Sequence, residues 1–373
     1  MSYHLLTLVG TRPELIKLSR ILNKIEQCFK HTFVHTGQNH DYELNEIFFR
    51  DLDLRRPDYF LESAKENAAK TIASVIEKFD EVLSKEKPDA ILIYGDTNSC
   101  LGIIAAKRRQ IPIFHMEAGN RCFDQRVPEE LNRKIVDHLS DINMVHSEHA
   151  RRYLLVEGIS PDKIIKTGSP MPEVLDFYKS KIQASKIIDT LELSLKNYFI
   201  VSIHREENVD YEANFKSLIS TIDQLAKLYK KKIIISTHPR TRKKLELLKI
   251  DQTNPFVHWL KPMGFFDYVK LQQNAFCVLS DSGTITEESS ILNFPAVMIR
   301  QAHERPEGMD VGAVIMSGLE FERVRDSIDM ATNVADSTID RLIPDYGPKN
   351  VSVHVVKVIQ SYIEFINRTV WYK

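Results

Sequence analysis

The sequence has few cysteines for its length, and none of them belongs to a short paired motif. Four are spread over 373 residues without a CxxC spacing, at Cys28, Cys100, Cys122 and Cys277. Disulfide frameworks and structural zinc sites need closely spaced cysteines. We therefore expect reduced packing cysteines and a cytoplasmic protein.

The sequence also lacks an excess of charge of either sign and any long apolar run. It has 50 Lys and Arg against 51 Asp and Glu, so no global field would collect nucleic acid or acidic membrane. No apolar run is long enough to cross a bilayer, and residues 3–9 form a strand-like run instead of a signal peptide. We expect no nucleic-acid partner and no membrane insertion, and any anion site must be local.

Metal-binding motifs are missing as well. The sequence has no HExxH, no clustered HxH and no Cys and His pair at ligand spacing. We therefore expect an enzyme that uses neither a metal nor another cofactor.

The chain is too long for one hydrophobic core, which predicts two domains. Short apolar runs alternate with segments of helical period, a pattern that predicts parallel strands joined by helices. The strands predicted in the first half are residues 5–9, 32–35, 90–94, 113–115, 142–146 and 163–166.

A polar segment at residues 177–197 separates this half from a second series of strands. That series is residues 199–203, 232–236, 256–259, 276–280, 296–299 and 313–316. We predict two doubly wound domains, residues 1–175 and 176–350, that face each other across a cleft. Residues 351–373 read as a helix that crosses back to the first domain.

Polar residues that follow the first strand suggest an anion site. Gly10 permits a tight turn, Pro13 suits a helix start, and Arg12 has the geometry to bind phosphate. An ordinary turn with a surface arginine explains the same residues.

Three carboxylates follow neighbouring strands of the first half: Asp96, Glu117 and Glu129. Burial and mutual repulsion can separate the pKa values of such a group, as proton exchange at carbon requires. Helix capping by Asp96 and a favourable charge of Glu129 at a helix start are competing explanations.

The second half contributes cations and small hydroxyl residues. His204-Arg205 and His238-Pro239-Arg240 each follow a strand and could donate to a leaving phosphate, although either could be a surface loop. Ser282 and Gly283 lie between a strand and a helix, where amides and hydroxyls can bind a diphosphate or simply cap the helix. Arg305 lies on the next loop and would close the same pocket.

These segments together resemble the non-hydrolysing UDP-N-acetylglucosamine 2-epimerase family, in order over residues 10–310. The matching stretches are GTRPELIK, HTGQNHDYE, YGDTNS, HMEAGNR, VPEELNRKIVDH, TGSP, HREENVD, THPR, SDSGTITEES and ERPEGMD.

The resemblance implies a two-domain fold like the glycosyltransferase-B group and a reaction through a 2-acetamidoglycal, with UDP held in the cleft. It puts Asp96, Glu117, Glu129 and His204 at the catalytic positions. It puts the UDP contacts at Arg12, His238, Ser282, Gly283, Glu288 and Arg305. It also implies a homodimer.

One loop departs from the commoner family pattern. The segment after Glu117 reads GNRCFDQRV where GLRTGD and a longer polar stretch are usual. This variant resembles the subgroup that makes UDP-N-acetyl-L-fucosamine for capsule or O-antigen from a 6-deoxy-L-talose precursor. We expect that substrate, with the UDP-N-acetylglucosamine and UDP-N-acetylmannosamine pair as the alternative.

Three other classes share parts of this pattern. A glycosyltransferase of the same architecture would leave the three carboxylates without a role, a hydrolysing epimerase would release free sugar, and a nucleotide sensor would leave the sugar unchanged. The sequence does not assign the acid and the base among the carboxylates.

Overall fold

The computed structural model describes residues 3–37, 49–333 and 342–373. The chain forms two compact units. Unit 1 contains Met1–Asp176 and Asp345–Lys373, and unit 2 contains Phe177–Pro344. Part of the HTGQNHDYE stretch, residues 38–43, lies outside the described residues.

Unit 1 alternates strands and helices from its first described residues. Short 3-10 turns occur at Asn98–Gly102 and Pro161–Lys163. The strands and helices are β1 His4–Val9, α1 Arg12–Cys28, β2 Lys30–His35, β3 Tyr59–Phe60, α2 Ala68–Glu86, β4 Ala90–Tyr94, α3 Ile103–Arg108, β5 Ile113–Ala118, α4 Pro128–Leu139, β6 Ile142–Val145, α5 Glu148–Val156, β7 Ile164–Lys166 and α6 Met171–Phe177.

The sheet of unit 1 is entirely parallel, in the order β3-β2-β1-β4-β5-β6-β7. Its inner strands are buried on both faces, which agrees with their nearly continuous apolar sequences. The strand order reverses between β1 and β4, and ligands of such sheets bind beyond the strand ends at that point.

Unit 2 repeats this alternation. Its elements are α7 Lys179–Ala184, α8 Ile187–Thr190, β8 Tyr198–Ile203, α9 Glu206–Val209, α10 Glu212–Tyr229, β9 Lys232–Thr237, α11 Pro239–Leu247, β10 Val257–Leu260, α12 Phe265–Asn274, β11 Cys277–Ser280, α13 Thr284–Leu292, β12 Ala296–Met298, α14 Pro306–Asp310, β13 Ile315–Met316 and α15 Phe321–Asn333.

The sheet of unit 2 has the order β10-β9-β8-β11-β12-β13, again with every strand parallel to its neighbours. The order reverses between β8 and β11. Both sheets are therefore doubly wound, which confirms the predicted fold class. Each predicted strand has its counterpart, whereas β3 was missed because it is only two residues long.

The C-terminal helix α16, Val351–Ile366, packs on α1 in unit 1. Its buried side chains join those of α1 and β1 in one core. Residues 345–350, which the sequence prediction put in the second domain, cluster with unit 1 because Asp345 accepts a bond from Lys166 Nζ (2.8 Å) and from the Glu148 amide (3.1 Å). No helix within the described part of the chain is long and apolar enough to span a membrane.

Candidate active-site residues in each unit

The turn between β1 and α1 is organised by Glu14. Its carboxylate accepts the amide hydrogen of Gly10 at 2.6 Å and the hydroxyl of Thr97 at 2.8 Å. Arg12 is the first residue of α1 and is half-buried. Glu14 thus occupies the Gly10 amide, and the Arg12 guanidinium is a further group that could bind an anion at this turn.

Glu14 was not among the predicted site residues. It is buried, and burial raises its pKa to about 7, against the hydrogen bonds from Gly10 and Thr97 that lower it. The sequence did contain a signal, because Thr11 and Glu14 have the T-x-x-E spacing of a capping box. That signal predicts a helix start and gives no indication of the burial.

Asp96 follows β4, and side chains of helix α4 hold it in place. Its Oδ2 accepts a 2.7 Å bond from Nε of the buried Arg133. Asn132 Nδ2 donates to the Asp96 carbonyl at 2.9 Å. The N-cap residue of the following 3-10 turn is Thr97, so the Asp96 side chain does not cap this turn.

Glu117 lies at a bulge near the end of β5. The pairing register with β6 shifts between Met116 and Ala118, and Glu117 has φ +64°, in the left-handed region. Its Oε1 accepts bonds from Lys17 Nζ at 3.1 Å and Asn120 Nδ2 at 3.3 Å. The bulge therefore turns the carboxylate toward α1.

Glu117 also lies beside the end of β4. A Cβ atom built on Gly95 would be 3.6 Å from Glu117 Oε2, and Gly95 immediately precedes Asp96. Two of the three predicted carboxylates thus lie on neighbouring loops of unit 1.

Glu129 and Glu130 have different surroundings. Glu130 is buried and accepts bonds from the amides of Cys122 (3.0 Å) and Phe123 (3.2 Å) and from Arg133 (3.0 Å). Burial alone would raise the pKa of Glu130, but these donors hold it below its ordinary value. Glu130 therefore anchors the loop, while Glu129 is half-buried at the start of α4.

Lys17 is a further residue that the sequence reasoning missed. It is buried on α1, bonds to Glu117 and lies over the Tyr94 ring at 5.5 Å from its centroid. A lysine on an amphipathic helix normally indicates a solvated face, so the sequence gave no reason to select it.

His204 in unit 2 is held by Asp281. His204 follows β8, Asp281 follows β11, and the ring Nδ1 lies 3.1 Å from Asp281 Oδ1. His238 follows β9, and its ring centroid is 6.0 Å from that of His204. The two predicted histidines are thus neighbours at the carboxyl ends of adjacent strands.

The arginines that follow these histidines pair with carboxylates. Arg205 bonds to Glu304 at 2.8 Å, and Arg240 lies 2.7 Å from Glu206. Both guanidinium groups are therefore paired within unit 2, and their contact with a leaving phosphate stays a prediction.

Ser282 and Gly283 form the turn into α13. The Ser282 hydroxyl lies 3.0 Å from that of Thr284. A Cβ atom on Gly283 would lie 3.0 Å from Glu304 Oε1, so this close approach favours glycine. A helix start with hydroxyl groups can bind an anion.

The remaining predicted UDP residues, Glu288 and Arg305, are both buried. Glu288 is one turn into α13 and accepts a 2.6 Å bond from Gln272, which fixes its carboxylate. Arg305 is buried and lies 3.3 Å from Glu287 Oε2, so the structure places it in the packing of unit 2. The roles of the predicted residues stay predictions.

Within residues 3–37, 49–333 and 342–373, no three His, Cys, Asp or Glu side chains converge as a metal site. The cationic groups beside the predicted residues in these ranges are side chains such as Arg133 and Lys17.

Comparison with known proteins gives a consistent result. The family model described as UDP-N-acetylglucosamine 2-epimerase matches residues 23–360. The chain is similar to the structure of UDP-N-acetylglucosamine 2-epimerase from Rickettsia bellii, with 55% identity, full coverage of both chains and a TM-score of 0.94.

Two further relatives also match most of this chain. The UDP-GlcNAc 2-epimerase of Methanocaldococcus jannaschii, solved in complex with UDP-GlcNAc and UDP, is 31% identical with a TM-score of 0.89, over 96% of this chain and 99% of that one. The UDP-2,3-diacetamido-2,3-dideoxy-D-glucuronate 2-epimerase of Pseudomonas aeruginosa is 32% identical over 92% of this chain and 94% of its own.

Proposed function

This chain belongs to the UDP-N-acetylglucosamine 2-epimerase family and is a non-hydrolysing UDP-sugar 2-epimerase, and from that premise we propose its catalytic groups and its sugar. The observation that carries the proposal is the pair of carboxylates, Asp96 and Glu117, on adjacent loops of unit 1. Carboxylates can remove a proton from carbon and return one.

The chemistry explains why these groups and a diphosphate site are needed together. The C2 hydrogen of a UDP-sugar is not next to a carbonyl, so it becomes acidic only as the bond from C1 to the UDP oxygen breaks. UDP leaves with the electron pair of that bond, a carboxylate takes the C2 proton, and a glycal remains. An acid then protonates the opposite face of C2, and UDP adds back to C1.

The proposed roles follow from this sequence of steps. Asp96, Glu117 and Glu129 handle the C2 proton, and Lys17 and Arg133 orient two of these carboxylates. The departing UDP is stabilised by donors on His204, His238, Ser282 and Gly283, with Arg12 as a further cation. The M. jannaschii relative binds UDP and UDP-GlcNAc, which supports UDP as the nucleotide here.

For the sugar, we propose UDP-2-acetamido-2,6-dideoxy-L-talose as substrate and UDP-N-acetyl-L-fucosamine as product. The loop between Glu117 and Glu129 presents Phe123, which is 69% exposed and packs edge-on against Tyr153 at 5.1 Å. An exposed ring there would favour a C6 methyl group over a hydroxymethyl group. The diacetamido relative supports the premise that family members differ in their sugars.

Val127 is the other bulky apolar residue of the GNRCFDQRV segment, and it is buried at 5% exposure. The substrate proposal therefore depends on Phe123.

A substrate panel in D₂O tests the proposal. The 6-deoxy-L-talo and L-fuco sugars should turn over faster than UDP-N-acetylglucosamine, by about 10-fold or more, and the epimer should carry deuterium at C2. Exchange confined to UDP-N-acetylglucosamine and its manno epimer would overturn the substrate and leave the enzyme class intact.

A matched pair of variants tests the role of the ring. Phe123→Ser should lower kcat/KM for the 6-deoxy sugars about 10-fold and leave UDP-N-acetylglucosamine nearly unchanged. Leu131→Ser is the control, because Leu131 is also exposed in unit 1 but lies on α4. Equal losses on both sugars would contradict a contact with C6.

We also propose a cytoplasmic homodimer that supplies a nucleotide sugar to capsule or O-antigen synthesis. These expectations come from the family resemblance. Sedimentation of the purified chain tests the dimer.

A further inference from the structure

Asp281 is a buried carboxylate to which the sequence assigned no role. It follows β11 and is fully buried. It accepts the amide hydrogens of His204 (3.0 Å to Oδ2) and Arg205 (3.0 Å), and Asn208 Nδ2 donates to it at 3.2 Å. A carboxylate with this many donors is fixed in orientation.

These contacts also fix its charge. Burial alone would raise the pKa of Asp281, but the adjacent His204 ring and the amides of Arg205 and His204 hold it below its ordinary value. Asp281 is therefore an anion that can only accept hydrogen bonds.

The anion determines which ring nitrogen of His204 carries hydrogen. Nδ1 lies 3.1 Å from Asp281 Oδ1, and this short distance to a negative oxygen disfavours a ring form with a lone pair on Nδ1. Nδ1 therefore carries hydrogen, which leaves Nε2 to contact a ligand. Nε2 has no polar partner among the residues described, and the side chain is 35% exposed.

A second His–Asp pair in the same protein shows the difference between a structural and a functional arrangement. In unit 1, His115 Nδ1 lies 2.9 Å from Asp137, but its Nε2 bonds to the Gly95 carbonyl at 2.8 Å and both side chains are buried. Both nitrogens of His115 thus lie beside oxygen atoms inside the fold, whereas only Nδ1 of His204 does.

We propose that Asp281 is a positioning residue that holds His204 in the Nδ1–H form, with Nε2 directed to the departing diphosphate. Ser282 and Gly283 follow Asp281 directly, so one turn carries both the proposed diphosphate contacts and the carboxylate that orients the histidine. The proposal rests on the proposed function, in which His204 acts on UDP.

The first experiment needs no substrate. Nitrogen-15 NMR of the full chain labelled at histidine, with His204 assigned by its loss in His204→Gln, reports which ring nitrogen carries hydrogen. We expect hydrogen on Nδ1 in the unmodified chain and a loss of this preference in Asp281→Asn. A His204 ring with hydrogen on Nε2 and none on Nδ1 would overturn the proposal even if the variant failed to fold.

The second experiment is a double-mutant cycle on whichever UDP-sugar the enzyme turns over. Asp281→Asn alone should lower kcat by about 100-fold, with a smaller effect on KM. When His204 is already replaced by Gln, Asp281→Asn should lower kcat less than about threefold. The reason is that Asp281 acts through the His204 ring, which this variant lacks.

The control is Asp141→Asn. Asp141 is also buried and bonds to Lys107 and the Ile113 amide, at the opposite end of β5 from Glu117. Its loss should lower stability and leave kcat within about threefold. Independent, multiplicative effects of Asp281→Asn and His204→Gln would refute the positioning role, whereas failure of the sugar panel would refute only the substrate.

Discussion

Glu117 has a strained backbone at the bulge in β5. A non-glycine residue at φ +64° costs about 1–2 kcal/mol relative to ordinary strand geometry. The bonds from Lys17 and Asn120 offset part of this cost and fix the carboxylate. Strain at a bulge next to a proposed proton-transfer group is consistent with selection for its direction.

We predict that Asp96→Asn, Glu117→Gln and Glu129→Gln each lower kcat by several orders of magnitude while UDP binding survives. Each change removes a group that acts on the C2 proton and leaves the diphosphate donors in place. Turnover in D₂O and UDP calorimetry measure the two effects. Near-normal rates in all three variants would reject the catalytic assignment.

Glu14 gives a pH-dependent prediction. Its pKa in the fold is about 7, above the 4.5 of an ordinary glutamate, so the folded state binds more protons between these values. The contribution of Glu14 to the free energy of unfolding is therefore largest below about pH 4.5 and is lost as the pH rises through about 7. The total loss is at most about 3 kcal/mol.

Glu14→Gln should remove that dependence. We expect the free energy of unfolding of the unmodified protein to fall relative to that of the variant as the pH rises from about 5 to about 8. Urea unfolding across this range measures it, and Glu77→Gln, on the exposed face of α2, is the control. A difference that is constant with pH would show that Glu14 is not protonated in the fold at neutral pH.

Helices α1 and α13 begin at turns that follow β1 and β11, the strands beside the point of reversal in each sheet. Helix starts favour anions because their amides point toward the ligand. In α1 the internal carboxylate of Glu14 competes for this position, whereas α13 starts with the hydroxyls of Ser282 and Thr284. We therefore expect the Arg12 side chain, and not the backbone amides at the start of α1, to supply the positive charge for a bound anion.

Arg12→Ala and Ser282→Ala should both weaken UDP binding, by roughly 1.5–3 kcal/mol for a lost charge-assisted hydrogen bond. Calorimetry with UDP measures the change. Lys24→Ala is the control on α1, since Lys24 bonds to Gln27 at the surface. Unchanged affinity in both variants would place the nucleotide elsewhere.

Both ends of the chain build unit 1. Helix α16 adds buried side chains to the core formed by α1 and β1, although more than three hundred residues separate them. Unit 1 is therefore incomplete until the last residues are present.

Ile359→Ala should destabilise unit 1 by about 2–5 kcal/mol, because Ile359 is fully buried on α16. Hydrogen exchange should then increase in peptides of α1 and β1. Lys357→Ala on the exposed side of the same helix is the control. If hydrogen exchange in α1 and β1 rises equally in both variants, Ile359 does not stabilise these elements by packing against them.

The sequence by itself determined the repeated strand and helix pattern, the doubly wound fold class and the loops that we propose to carry chemistry. Apolar runs bounded by turn residues are local signals, so the strands could be predicted, and among the described residues only the two-residue β3 was missed. Asp96, Glu117 and His204 could be selected because functional loops follow strands in this architecture.

Only the tertiary structure decided which neighbours these residues have. Glu14, Lys17 and Asp281 became visible through burial and through partners distant in sequence, such as Lys17 with Glu117. It also showed that Glu129 and Glu130 have different surroundings and that Arg305 is buried beside Glu287, while a UDP contact of Arg305 stays a prediction. Burial, side-chain pairing and the φ of Glu117 depend on contacts between distant segments, which no local pattern encodes.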